Sequence, residues 1–278
     1  MTQLWCNGQW IDAFDPGIPP TDRVLTHGLG LFETILAVDG APVFVERHIQ
    51  RLERSCRRLG WSVEIPAPGE IMAELLARSH LARGRARIRL TITGGSGTVH
   101  DLTPGGDRII RMTALPAPDP PANCAVNLSP WLRNERSPLA GLKCASYAEN
   151  LVALDHARRQ GYEETVFLNT AGHVCEAATA NVFLVNSGAL LTASVESGCL
   201  PGITRGVVIE LAKSLGIACS EGDLTPADLA SADEIFLTSS IRGLMGVSRF
   251  GPRILPPGKI TTMLREAWRE AVLRDRTG

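Results

Sequence analysis

Ten residues near the middle of the chain, LPAPDPPANC at 115–124, hold four prolines. Proline fixes φ and has no backbone N–H to donate, so this segment predicts a stiff connector and no regular element. It divides the 278 residues into two stretches, each long enough to bury a core of its own. The expected organisation is a smaller N-terminal α/β domain over 1–114, a linker over 115–124 and a larger α/β domain over 125–278.

Periodicity fills in each half. Short strands are expected near 3–5, 34–38 and 87–93. Between the last two, Ile49, Leu52, Cys56 and Leu59 recur at helical spacing with Gly60 as a stop, which predicts a helix over 46–59. Its arginines then face outward or toward a ligand, and a second amphipathic helix follows over 68–82. Past the linker come a strand at 125–129, a loop to Leu142 and a helix over 147–160. Gly161 closes that helix and Arg158 and Arg159 occupy its last turn. The runs 165–169, 174–176, 181–185 and 189–192 are separated by turn signals and read as a meander. Helices over 204–215 and 261–274 flank a last strand, 234–237, that runs into Thr238, Ser239 and Ser240.

With a net charge of -1, the chain offers no basic field for nucleic acid or an anionic membrane surface. No apolar run approaches the roughly 20 residues of a membrane span, and the segment MTQLWCNGQWIDAF carries no basic-then-apolar leader pattern. The expectation is a cytoplasmic protein that acts on a small molecule. The seven cysteines are odd in number, scattered and never spaced as CxxC, so they predict reduced thiols and no metal site.

Lysine stands at only three positions, 143, 213 and 259, among 28 Lys plus Arg. On the helix 204–215, Val207, Val208, Leu211 and Leu215 share one face and Lys213 falls nearly opposite, in solvent. Lys259 follows Pro256-Pro257-Gly258 in a turn. Lys143 alone lies among small and apolar residues, where desolvation favours a free, nucleophilic amine. An ordinary loop lysine would fit the same surroundings.

Ordered segments decide between these readings. DRVLTHGLGLFETI (22–35), RHIQRL (47–52), LAGLKCASYAEN (139–150), EAATANVFLV (176–185), LPGITR (200–205) and EIFLTSS (234–240) together resemble the class IV aminotransferases, the fold-type IV pyridoxal-phosphate enzymes. That group holds branched-chain and D-amino-acid aminotransferases and 4-amino-4-deoxychorismate lyase. The resemblance implies the two-domain fold of the D-amino-acid aminotransferases, with mixed α and β elements and the cofactor at the domain interface. It also implies a homodimer that acts on a small-molecule amine.

The resemblance assigns roles residue by residue. Lys143 would hold pyridoxal 5'-phosphate through its amine and shuttle the substrate proton. Glu176 would pair with the pyridine nitrogen; otherwise it is an outward residue on a hairpin. Arg51, Ile203, Thr204, Ser239 and Ser240 would hold the phosphate, the arginine with a bidentate charge. Thr204 also reads as a plain helix cap, and Arg51 as a solvated residue roughly 120° from its helix's apolar stripe.

For the substrate, the resemblance points to Phe32, Thr34 and Arg242. Thr34 matches the lyase pattern, in which a threonine delivers a proton to the departing pyruvyl group; otherwise it is a β-branched strand residue. Gly94-Gly95 stand where D-amino-acid enzymes and many lyases carry Arg-Gly, while the Gly-Ser-Gly continuation is lyase-like. Arg242 could supply the missing carboxylate anchor, or be a surface arginine. The lyase is the favoured reading, with a transaminase using 2-oxoglutarate as the alternative and a non-catalytic cofactor-binding scaffold as a remote third.

Overall fold

The computed structural model describes residues 3–12, 17–100 and 107–276. The chain forms two units. One comprises Met1–Asp119, Leu142–Ser146 and Arg274–Gly278, and the other Pro120–Gly141 and Tyr147–Leu273. The division between Asp119 and Pro120 falls inside the proline-rich segment, although residues 115–116 and 123–124 at its two ends lie in strands rather than in a connector.

The first unit contains β1 (Gln3–Cys6), β2 (Gln9–Asp12), α1 (Arg23–Thr26), β3 (Gly30–Val38), β4 (Ala41–Pro42), α2 (Val45–Arg58), α3 (Pro68–Arg78), β5 (Arg85–Thr93) and β6 (Ile110–Pro116). Its strands make a six-stranded antiparallel sheet in the order β2-β1-β6-β5-β3-β4. Pro116 ends β6, where a missing N–H is tolerated.

Alternation in β5, RARIRLTIT, sets the two faces of that sheet. Ala86, Ile88, Leu90 and Ile92 pair across with Ala37, Ile35, Glu33 and Leu31 of β3. All but Glu33 belong to an apolar core that α2 covers with Ile49, Leu52 and Cys56, and α3 with Met72, Leu75 and Leu76. The opposite face carries Phe32, Thr34 and Leu36 against Thr91, Arg89 and Arg87.

Lys143 was expected in the larger C-terminal domain, yet its segment packs with the first unit. Past the short β4, the edge of β3 leaves backbone groups to be paired. The Phe32 N–H donates to the Lys143 carbonyl at 2.9 Å, and the Ala145 N–H to the Gly30 carbonyl at 2.8 Å. Leu31 and Cys144 thus face each other as an antiparallel bridge, and Leu142 and Cys144 join the core. Alternation then turns Lys143 to the Phe32 face.

The second unit contains β7 (Asn123–Arg133), α4 (Ala148–Arg159), β8 (Glu164–Asn169), β9 (Val174–Ala177), β10 (Asn181–Asn186), β11 (Ala189–Ala193), α5 (Ile203–Ser214), β12 (Cys219–Gly222), α6 (Pro226–Ser231), β13 (Glu234–Ser239), β14 (Gly243–Phe250), β15 (Arg253–Ile254) and most of α7 (Lys259–Asp275). Its nine-stranded sheet runs β12-β11-β10-β13-β14-β7-β8-β9, with β15 on β14.

The expected meander is therefore absent. β8–β9 and β10–β11 are hairpins separated by β13, β14 and β7, and β7 pairs with β8 in parallel across α4. β8, β10 and β13 are buried on both faces, so their near-continuous apolar runs carry no alternation to say which neighbour each finds. α5 packs through Ile203, Val207, Val208 and Ala212, while Leu215, expected on that face, is exposed at the helix end.

Candidate active site

In the first unit, the Lys143 Nζ lies 4.4 Å from the centre of the Phe32 ring. The Arg89 guanidinium lies 3.9 Å from the same ring. Thr34, two residues along β3 and paired in register with Arg89, presents its hydroxyl on that face. Lys143 is half-buried, whereas Lys213 and Lys259 are exposed. An amine and a guanidinium against one apolar ring, with the Thr34 side chain on the same sheet face, are groups suited to proton transfer beside an anion.

On the other face of β3, Glu33 sits inside the apolar core and is 1% exposed. A carboxylate there requires partners, since an unpaired buried charge costs several kcal/mol. Two residues of α2, three apart and therefore on one helix face, supply them. Arg51 donates from Nε to Glu33 Oε1 at 2.8 Å and from Nη2 to Oε2 at 2.5 Å. His48 Nδ1 lies 2.7 Å from the same Oε2. The arginine and the histidine hold the Glu33 carboxyl down to about 2 against the opposing effect of burial. Burial lowers the His48 pKa, so the imidazole is neutral at pH 7 and donates through Nδ1.

This geometry rules out the solvated alternative for Arg51, which is 4% exposed. It also changes what Arg51 can offer, because its Nε/Nη2 edge is given to Glu33.

In the second unit, Glu176 on β9 is half-buried. Its Oε2 accepts from the Leu200 N–H at 2.9 Å, and Oε1 lies 3.9 Å from Arg133 Nη2. Arg133 also bonds Glu149 and stacks 4.4 Å from the centre of the Phe167 ring. Two residues past Leu200, Gly202 caps α5, and a Cβ there would meet Asn181 Oδ1 at 2.1 Å. Asn181 in turn donates to the Leu200 carbonyl at 2.8 Å and pairs in register with Thr238. The start of α5, with Ile203 and Thr204, is thereby brought to the end of β13, where Ser239 and Ser240 follow. The first N–H groups of a helix point at whatever lies beyond its N-terminus and favour an anion.

Arg242 is not disposed as a simple surface arginine. Its Nη2 donates to Glu164 Oε1 at 2.7 Å and to the Thr179 hydroxyl, and the Glu164 side chain is fully enclosed. Its backbone N–H reaches Ser239 Oγ at 3.4 Å. Any substrate carboxylate would share this guanidinium with a resident one. Position 94 cannot host an arginine in its place, since a Cβ on Gly94 would lie 2.8 Å from the Leu29 carbonyl oxygen.

Glu33, His48, Arg89 and Arg133 were absent from the sequence-based set. Arg89 had a signal, the strict Arg–apolar alternation of β5, which marks a polar sheet face. The Glu33 partners His48 and Arg51 had another, their i,i+3 spacing beside an apolar stripe. Arg133 carried none.

The amino-transferase class IV family matches residues 30–250. A putative branched-chain-amino-acid aminotransferase of Methanocaldococcus jannaschii is 31% identical over 96% of this chain and 96% of its own. The aminodeoxychorismate lyase of Bacillus subtilis is 28% identical over 86% of this chain and 83% of its own. Among solved structures, a hypothetical aminotransferase from Mycobacterium tuberculosis in its PLP-bound form superposes with a TM-score of 0.85. It is 27% identical, over 99% of this chain and all of that one.

The donor set fits pyridoxal phosphate. The first unit supplies a half-buried amine, Lys143, and the second unit a carboxylate held by a backbone N–H, Glu176, and the N-terminus of α5, where an anion would be favoured. Beside that start, the Thr238 hydroxyl is buried with no hydrogen-bond partner among the described residues. The expected two-domain, mixed α/β fold is that of the fold-type IV enzymes. The chain belongs to the class IV aminotransferases and is a pyridoxal-phosphate-dependent enzyme of that family.

Proposed function

We propose that this enzyme is a 4-amino-4-deoxychorismate lyase, which releases pyruvate and leaves 4-aminobenzoate. The observation that carries this reading is the Thr34 hydroxyl, on the same face of β3 as the Phe32 ring that lies 4.4 Å from Lys143 Nζ. Lys143 would anchor the cofactor, Glu176 would keep the pyridine nitrogen protonated, and Ile203, Thr204, Ser239, Ser240 and Arg51 would hold the phosphate. When bound, the cofactor supplies an electron sink for the pair left as a C–H bond breaks.

The residues then divide the proton work. Lys143 takes the proton from the amine-bearing ring carbon, the ether C–O bond breaks, and Thr34 passes a proton to the departing enolpyruvyl group. A hydroxyl on the same sheet face as the acid–base lysine suits such an elimination, which needs a proton donor for the departing group where a transamination does not. Arg89, over Phe32, is the residue placed to receive a substrate carboxylate on that face.

A transaminase acting on branched-chain L-amino acids with 2-oxoglutarate is the second reading, favoured by the 31% identity to the branched-chain relative along nearly the whole chain. In it Lys143 returns the proton, and Arg89 holds the carboxylate of amino or keto acid. A D-amino-acid preference is disfavoured because Gly94 leaves no room for an arginine clamp.

The enzyme is proposed to act in the cytoplasm as a homodimer. The free thiols suit a reducing compartment, and no helix among the described residues is long and apolar enough to cross a membrane. β7 and α4 leave Trp131, Leu132, Leu151 and Val152 exposed, an apolar face of the kind that a second copy covers.

Purified enzyme is to be incubated with 4-amino-4-deoxychorismate and, separately, with L-leucine or D-alanine plus 2-oxoglutarate. Equal amounts of pyruvate and 4-aminobenzoate are expected in the first. Glutamate in the others, with no 4-aminobenzoate in the first, would establish the transaminase instead. Thr34→Ala is expected to slow the lyase kcat by about 10- to 100-fold, with KM little changed.

A further inference from the structure

We infer that Arg111 is a specificity residue that receives a second carboxylate, so that the Phe32 face of the six-stranded sheet selects a substrate carrying two carboxylates. This deepens the proposed function and rests on its placing of a first substrate carboxylate at Arg89.

Strand register brings Arg111 to that face. Phe32 of β3 pairs with Thr91 of β5, and Thr91 pairs in turn with Arg111 of β6. Side chains paired in register point to the same side of a sheet, so Phe32, Thr91 and Arg111 form one row across three strands. The next row is Thr34, Arg89 and Thr113. Arg111 and Arg89 are therefore diagonal cross-strand neighbours, with backbones about 7–8 Å apart. Strands lie about 4.8 Å from one another, which sets Arg111 about 10 Å across the sheet from Phe32. The Phe32 ring is the one that lies against Lys143.

The surroundings of Arg111 favour an anion. The residue is half-buried, and its Nε is enclosed with no hydrogen-bond partner among the described residues. An enclosed N–H of a charged group is costly to leave unmade, and a ligand oxygen would satisfy it. The paired positions on this face of β3, β5 and β6 hold arginine, threonine, glycine and apolar residues, and no Asp or Glu. Asp22 reaches the end of the face at Thr93, but its oxygens accept from Thr93 Oγ1 at 2.5 Å and from the Val24 N–H at 2.7 Å. Like charges on neighbouring positions of one face repel, and a bound anion relieves that repulsion. Arg87 offers a contrast on the same face. It pairs with Leu36, about 13 Å along the strands from the row of Arg111, and it is exposed.

The class of ligand follows from two guanidinium groups on one face. 4-Amino-4-deoxychorismate carries one carboxylate on its ring and another on its enolpyruvyl group, and 2-oxoglutarate, the acceptor in the transaminase reading, also carries two. A branched-chain amino acid carries one, which Arg89 serves alone. Arg111 thus discriminates by charge between a dicarboxylate and a monocarboxylate.

Binding without turnover tests this, so the outcome does not depend on which reaction the enzyme catalyses. Holoenzyme is titrated with benzoate and with isophthalate, which differ by one carboxylate, and the affinities are read from the change in the visible absorbance of the cofactor. Isophthalate is expected to bind about tenfold more tightly than benzoate. Arg111→Met is expected to reduce that preference to about twofold or less with benzoate unchanged, and Arg111→Lys to keep part of it. Arg87→Met removes the same charge from the same face and should keep the whole preference. Arg111→Gln replaces Arg111→Met if the latter does not fold.

The proposal is overturned if the parent shows no preference, if Arg111→Met keeps it or weakens both ligands equally, or if Arg87→Met loses it to the same extent. Arg89→Met reports on the underlying reading. Weakening of both ligands in that variant supports a carboxylate at Arg89, whereas unchanged binding of both overturns the substrate face itself, whatever Arg111→Met does.

Discussion

Two arginines nominated from the sequence as anion holders, Arg51 and Arg242, each turn out to hold a buried glutamate of their own unit. Arg51 closes a full fork on Glu33 and its side chain is 5% exposed, whereas Arg242 gives Nη2 to Glu164 and is 26% exposed. Each glutamate is enclosed, at 1% and 0%. The difference lies in the arginine. One is built into a core and oriented by a histidine; the other reaches a buried carboxylate from a turn while keeping part of itself in water. An enclosed arginine is a fixed fixture, and a half-wet one can exchange partners.

That contrast makes its largest claim about the glutamates. Glu33→Ala leaves Arg51 charged and enclosed, which is expected to cost about 3–5 kcal/mol by chemical denaturation. Glu164→Ala leaves an arginine that can turn to solvent, and about 1–3 kcal/mol is expected. A larger loss in the second variant would reverse the comparison.

Next in size is the replacement of guanidinium by ammonium. Arg51→Lys cannot close a fork, so about 1–3 kcal/mol of stability should go, together with much of the affinity for pyridoxal phosphate. Arg242→Lys keeps a single contact to Glu164 and should cost less than about 1 kcal/mol. Equal losses would mean that the fork at Glu33 contributes nothing beyond charge.

A third effect is one of pH. His48 has a pKa below its ordinary 6.5 when folded, so the unfolded chain takes up a proton that the folded chain refuses. Stability is then present above 6.5 and falls as pH drops through it, with a slope of at most about 1.4 kcal/mol per pH unit. Glu33, held at about 2 against an ordinary 4.5, adds a second loss as pH falls from 4.5 toward 2. His48→Asn should flatten the first phase and leave the second. The sequence places no histidine beside Glu164, so Glu164→Gln should leave the phase near 6.5 unchanged; its disappearance there would assign it to another group.

Much of this was legible beforehand, for identifiable reasons. The helix expected at 46–59 appears as Val45–Arg58 because its apolar spacing is set by one sheet face. The proline-rich segment reads as an interruption of regular structure because proline is a local constraint. Lys143 is proposed by elimination among three residues and by the motifs around it. The environment of Arg51 was not legible, since a helical wheel shows the stripe but not the carboxylate that β3 inserts beneath it. Nor was the order of the nine-stranded sheet, whose central strands lack alternation. The packing of Lys143 against β3 depended on an open strand edge, a property of pairing that one segment alone cannot reveal.

The central claim is that Lys143 carries the cofactor. Reduction of the holoenzyme with borohydride, followed by peptide mapping, should find the phosphopyridoxyl group on the peptide containing Lys143, and Lys143→Ala should lose the visible absorbance of the bound cofactor while Lys213→Ala keeps it. A label on Lys213 or Lys259, or an intact absorbance band in Lys143→Ala, would contradict the account.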